Sequence, residues 1–267
     1  MLRRAWSEAA TGWRALHRST RRSALRTVVL GAVLLVAATV AAVFVARRLE
    51  LAGALAGEPA LLDAFLATGW VSFSGGVWLQ ALGTDLFLTA IVLVGAILSL
   101  RAGRPLTALA LVLAFVGMDL AVRLGWSLWA RPRPTVVFGG QAAPGFHAFP
   151  SGHSGKTVVV WGLLAVLWMR ASRSTVERLL VGVGATVIMV LVPVARLRMG
   201  AHWPSDLVGG AFLGLVWLAV LARLVMLEAG DRRAGVGGAA PFSAGAAGLS
   251  TAPSSGGAAG LSPPPPP

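Results

Sequence analysis

Apolar residues gather in six runs, at 28–46, 86–100, 106–122, 157–169, 179–195 and 207–222, with polar stretches between them. The first run has nineteen uncharged residues behind a basic head, about the length that one helix needs to cross the hydrocarbon of a bilayer. A cleaved signal peptide would have a shorter apolar core followed by a soluble body, whereas here five more runs follow. The pattern therefore predicts an all-α, polytopic six-helix transmembrane bundle. The run at 157–169 has only thirteen residues, so its helix is expected to extend into flanking polar residues or to end in a wet cavity.

No internal repeat divides the chain. Residues 27–228 read as one membrane domain, and residues 1–26 as a basic cytoplasmic segment. Residues 229–267, where Gly, Ala, Ser and Pro take over and the chain ends in six prolines, read as a disordered cytoplasmic tail without apolar mass to pack. The segment 58–82, with Leu61, Leu62, Phe65, Leu66 and Trp70, reads as an interfacial or re-entrant piece that meets a lipid tail, with nothing catalytic in it.

Composition agrees with this pattern. Mean hydropathy is +0.77. Charged residues make up 12% of the chain, against about 25% in a soluble domain. With the N-terminus inside, six spans put fourteen arginines on the cytoplasmic side and six arginines with Lys156 outside, as the positive-inside rule requires. The net charge of +13 would suit nucleic acid, but it lies in membrane-flanking loops rather than on one soluble basic face, so anionic headgroups are its expected partner. There is no cysteine, hence no disulfide and no thiol chemistry. One lysine against twenty-two arginines, with abundant Ala and Gly, is the composition of a GC-rich bacterial gene.

The remaining polar residues are concentrated in two loops. "RPRP" (131–134) and "FPSGHSGK" (149–156) lie between the third and fourth spans, and "VARLRMGAHWPSDLVGG" (194–210) lies between the fifth and sixth. Two spans separate the loops, so parity puts both on the outer face. Ionisable groups at membrane depth cost about 2.5 to 3.5 kcal/mol each on insertion scales and usually line a hydrated cavity. Arginine offers a planar fork of donors to phosphate oxygens, and a histidine hydrogen-bonded to a carboxylate keeps its other nitrogen free to attack. Ser151 with the Gly152 and His153 amides falls at the start of the fourth span, where unpaired N–H groups favour an anion. Together these residues read as a phosphate site with two histidines.

Arg133-Pro134, the "PSGH" of 150–153 and the Arg196, His202, Asp206 set, in that order, resemble the signature of the type 2 phosphatidic acid phosphatase family. The resemblance covers about residues 85 to 225. It implies an integral membrane lipid phosphatase without cofactor or metal, its active site on the extracytoplasmic face of the cell membrane. It implies that His202 is the nucleophile that forms a phosphohistidine, Asp206 its orienting partner, and His153 the acid and later base. Arg133, Arg196, Ser151 and the Gly152 amide would hold the phosphoryl oxygens. For a bacterial chain the implied substrate is undecaprenyl diphosphate, with phosphatidate or phosphatidylglycerol phosphate as the alternative and a non-catalytic lipid-phosphate binder as a further one.

Two positions depart from the family pattern. Trp126 stands where a lysine is usual, and Ala195 where a serine is. Arg123, three residues before Trp126 and so on the same helical face, is expected to supply the missing phosphate contact, and Asp119 to pair with it. Arg131 and Arg198 divide between headgroup and substrate contact, Lys156 reads as an interface anchor, and His147 takes no role. Gly209, Gly210 and Gly214 read as sites of close helix packing. The rival reading is a zinc site of His147, His153, His202 and Asp206, which leaves the arginines unexplained.

Overall fold

The computed structural model describes residues 2–134 and 147–237. Nine helices form among them: α1 (Leu2–Ala15), α2 (Arg18–Leu51), α3 (Glu58–Ala67), α4 (Phe73–Ala81), α5 (Asp85–Arg101), α6 (Pro105–Leu128), α7 (Gly152–Ala171), α8 (Thr175–Arg198) and α9 (Pro204–Gly237). The class is the expected one, all-α among the described residues. Each of the six apolar runs lies within its own long helix, while the short segment 58–82 folds as α3 and α4.

Five stretches, at 18–51, 73–101, 105–128, 175–198 and 204–234, are long and apolar enough to cross a membrane, which makes the chain a multi-pass membrane protein. The sixth expected span, α7, runs from one end of the bundle to the other but is less apolar than these five. Its 20 residues would rise about 30 Å, but Gly152 to Thr157 are polar and pull it below the apolarity of a lipid-facing helix. It needs no such face, because α6, α8 and α9 pack around it and Val158, Val159, Val160 and Leu163 are buried. Lipid instead meets α2, α5 and α8, whose Leu30, Val33, Phe44, Leu93, Leu179 and Val183 stand exposed.

Small residues set the spacing at the centre. A Cβ on Gly210 of α9 would lie 2.3 Å from the Ser151 carbonyl oxygen, one on Gly155 of α7 2.6 Å from Met118, and one on Gly214 2.7 Å from the Gly155 carbonyl oxygen. The expected close packing at Gly209, Gly210 and Gly214 is therefore present, and it brings the starts of α7 and α9 together. Gly31 does the same for α2 and α9, where a Cβ would strike Val220 at 2.3 Å.

The bundle has two ends. The site end carries the C-termini of α2, α6 and α8 and the N-termini of α7 and α9; the opposite end carries the C-termini of α5, α7 and α9 and the N-termini of α6 and α8. At the opposite end, buried Glu228 of α9 accepts from the Leu106 and Thr107 amides (2.9 and 3.1 Å), supplying the cap that the first turn of α6 lacks. Residues 229–237, read from the sequence as tail, continue α9, and Asp231 accepts from Thr20 Oγ1 at 2.5 Å. The rest of the tail reading, 238–267, lies outside the described residues.

Candidate active site

α8 ends at Arg198 because Gly200 takes a left-handed conformation (φ 60°), with Gly200 N–H bonded to Leu197 O at 2.9 Å and Ala201 N–H to Arg196 O at 3.1 Å. This turn reverses the chain within three residues and sets His202 just before α9 starts. Asp206 lies in the first turn of α9, where a carboxylate suits the helix dipole. Its Oδ2 accepts from the Trp203 amide at 2.8 Å and its Oδ1 from Arg131 Nη1 at 2.6 Å, and the side chain is fully buried. His202 Nδ1 lies 3.5 Å from Asp206 Oδ2, within reach of the carboxylate but without a hydrogen bond. Asp206 thus faces Nδ1 and leaves Nε2 as the other nitrogen of the ring.

α7 starts against the same turn. The Ser151 amide donates to Asp206 O at 3.0 Å, Ser151 Oγ caps the helix by accepting from Ser154 N–H, and Ser154 Oγ donates to Leu207 O at 2.7 Å. The first-turn amides of Gly152 and His153 have no intrahelical partner to reach, so they are available to an anion. Arg133 reaches in from the loop after α6, its Nη1 donating to Ala201 O at 3.2 Å and its Nη2 to His147 O at 3.4 Å. Arg196 donates from Nη1 to Gln80 Oε1, while its buried Nε makes no hydrogen bond. Arg133, Arg196, Lys156 and His202 all act electrostatically on His153, and both arginines act on His202. Three segments distant in sequence therefore meet in one cationic cluster.

Burial sets the protonation of this cluster. It pushes the His202 imidazole down to about 4 against the counter-pull of Asp206, and Arg133 and Arg196 press the same way as burial. His202 is therefore neutral at pH 7 and able to act as a nucleophile. Burial also lowers Arg133, with Asp206 opposing. At Arg131 burial lowers the guanidinium, but the Asp206 and Glu58 carboxylates outweigh it and hold it above its ordinary value.

Four expectations are corrected here. Arg131 reaches neither headgroup nor substrate: it is 4% exposed, donates to Ser205 Oγ, Asp206 and Glu58 at 2.7, 2.6 and 2.6 Å, and lies 3.5 Å from Glu50. Arg198 turns to the carbonyls of Leu66 and Val71. Lys156 is no interface anchor but a buried cation between Asp85 (2.9 Å) and Asp119 (2.7 Å). Arg123 does pair with Asp119, at 2.6 Å, yet its side chain is 66% exposed and it is Lys156, not Arg123, that acts on His153. Trp126 fills the place of the usual lysine by donating from its indole to Pro150 O at 3.3 Å.

The segment 58–82 contributes more than an apolar face. Buried Glu58 accepts from Arg131 and from the Ser205 amide at 2.7 Å, and Gln80 binds Arg196. Neither residue belongs to a motif. Nothing in the sequence separates buried Glu58 from Asp63, which is exposed on the same helix. Among the described residues no three His, Asp or Glu side chains come together as metal ligands, so the His147, His153, His202 and Asp206 set is not assembled.

Residues 101–228 match the PAP2 superfamily. Over 86 residues the chain is 42% identical to phosphatidylglycerophosphatase B of Escherichia coli (strain K12), and equally to that of Shigella flexneri. That match covers 32% of this chain, and the chain spans 31% of the length of these relatives. The fold is similar to the crystal structure of the first transmembrane PAP2 type phosphatidylglycerolphosphate phosphatase from Bacillus subtilis, with TM-score 0.61 and 20% identity over 74% of this chain and 96% of that one.

Proposed function

We propose that the chain, whose residues 101–228 match the PAP2 superfamily, is an integral membrane phosphatase of the type 2 phosphatidic acid phosphatase family that hydrolyses the phosphate monoester or diphosphate of a lipid. The observation that carries this reading is the gathering of Arg133, Arg196, His153 and the His202–Asp206 pair at one end of the bundle. A phosphoryl group seated there is gripped by two guanidinium forks and the first amides of α7. His202 Nε2 attacks phosphorus, forming an N–P bond as the bond to the leaving oxygen breaks (the lipid oxygen of a monoester, the bridging oxygen of a diphosphate), and His153, entering this step protonated with the bound phosphoryl charge to offset the surrounding cations, gives that oxygen its proton. Water then attacks the phosphohistidine, passing a proton to His153 while phosphate leaves. Arg133 and Arg196 stabilise the charge that grows on the equatorial oxygens.

Phosphatidylglycerol phosphate is the substrate that the relatives' names favour, and undecaprenyl diphosphate is the second candidate, implied by the resemblance for a bacterial chain. The site recognises the phosphoryl group they share. The test is phosphate release by the purified protein from a panel of both lipids and phosphatidate, with His202→Ala as control. Release by the parent and its loss in a folded His202→Ala support the reading; an equal rate in that variant removes it, and no release from any lipid leaves a binder without turnover. The proposed place of the site is the extracytoplasmic face, which the arginine count of the loops supports.

A further inference from the structure

At the opposite end, α6, α7 and α9 enclose a pocket of about 210 Å³ whose lining includes Arg104, Arg170, Arg232 and Arg233 and a single acid, Glu228. Glu228 is committed to the first turn of α6, its oxygens accepting from Leu106 N–H, Thr107 N–H and Thr107 Oγ1. Arg232 is committed to the α5 C-terminus, donating to Ala102 O at 3.1 Å and to Gly103 O. The side chains of Arg104, Arg170 and Arg233, all three residues exposed, make no hydrogen bond or ion pair with any described residue. Three arginines thus line a cavity, with side-chain charges that their own chain does not pair.

A second cavity adjoins the first. Between α7 and α8 runs an apolar groove of about 940 Å³, and two α7 residues, Leu167 and Ala171, line both it and the arginine pocket. Its volume falls within the range of about 300 to 1,000 Å³ typical of ligand sites. Val181, Ala185 and Ile188 form its far wall, and Gly184 leaves it open, since a Cβ there would meet nothing within 4 Å. Its one acid, Glu177, is engaged by Trp168 Nε1 at 2.7 Å and by Ser172 Oγ. A cationic pocket sharing a wall with an apolar groove is complementary to a molecule with an anionic head and a long hydrocarbon tail.

We propose that this end of the bundle holds an anionic phospholipid of the adjacent leaflet, its phosphate among Arg104, Arg170 and Arg233 and an acyl chain in the α7–α8 groove. The site shares no residue with the candidate active site and does not rest on the phosphatase reading. Basic pockets between membrane helices are suited to such headgroups, because charge attraction there adds to the burial of the chain.

The test is native mass spectrometry of the full chain in detergent, titrated with phosphatidylglycerol, phosphatidylcholine, short-chain dihexanoyl phosphatidylglycerol and inorganic pyrophosphate. The unchanged chain is expected to retain phosphatidylglycerol far more tightly than phosphatidylcholine. The triple variant Arg104→Gln, Arg170→Gln, Arg233→Gln should weaken phosphatidylglycerol about a hundredfold, the factor three lost cationic contacts carry. Gly184→Leu, which fills the groove, should weaken the long-chain lipid and leave the dihexanoyl form unchanged. Should the triple variant fail to fold, Arg170→Gln alone carries the same comparison with a smaller loss. Equal retention of the two long-chain lipids, or unchanged phosphatidylglycerol binding in the arginine variants, overturns the proposal. Pyrophosphate bound as tightly as phosphatidylglycerol, with no effect of Gly184→Leu, overturns it in favour of a free-anion site.

Discussion

At the scale of single residues, the fate of Asp206 decides the most. Its carboxylate is fully buried, and it accepts from Arg131 Nη1 and from the Trp203 amide. Arg131→Met is expected to leave that charge unpaired, at a cost of about 3 to 5 kcal/mol. A thermal melt in detergent should show the loss, and a fall in kcat larger than any change in KM should accompany it. Glu58→Gln keeps an acceptor for the Ser205 amide but withdraws a charge from Arg131, and should show a smaller version of the same effect. His202 gives a pH signature. Its folded-state value of about 4 lies below the ordinary 6.5, so between those limits the unfolded chain binds the proton that the folded one refuses. Its contribution to stability is full above about 6.5 and declines as the pH falls towards 4. His202→Phe should flatten the melting temperature against pH in that window, and an unchanged slope contradicts the assignment. The motif residues themselves were legible, because His202, Asp206, His153, Arg133 and Arg196 announce their chemistry by type and spacing. Arg131, Lys156 and Glu58 were not. A charge whose partner lies tens of residues away looks the same in sequence as one bound for solvent.

At the scale of elements, the site depends on how closely α7 and α9 approach. Gly210→Ala puts a Cβ against the Ser151 carbonyl, a backbone atom that cannot swing aside, and overpacking of this kind costs about 1 to 3 kcal/mol. Since Ser151 caps α7 beside the proposed phosphate position, activity should fall together with the melting temperature. Gly184→Ala, with open space around it, should change neither. Comparing the two variants by melt and by phosphate release checks the claim. The apolar runs made each long helix readable in advance. The length of α7 was foreseeable from the thirteen-residue run, but its central position was not, since hydropathy measures average apolarity and is silent about which neighbours surround a helix. The polar first turns that removed α7 from the apolar count are the turns that build the site.

At the scale of the molecule, the bundle separates two collections of charge, the motif cluster at one end and the arginine pocket at the other. The absence of native cysteine makes orientation simple to measure. Ala56→Cys, exposed between α2 and α3, should react with an impermeant maleimide on intact cells; Ala102→Cys, exposed between α5 and α6, should react only after lysis. The reverse pattern would place the site on the cytoplasmic side. One further consequence comes from length. α2 and α9 each have 34 residues and pack against each other, and at 1.5 Å per residue each measures about 51 Å against a hydrocarbon slab of about 30 Å. The surplus must stand clear of the bilayer or be absorbed by tilt. The bond from Thr20 to Asp231 pins the N-terminal turns of α2 to the last turns of α9. Tied at that end and packed along their length, the two helices share one register, so a tilt of either carries the other with it.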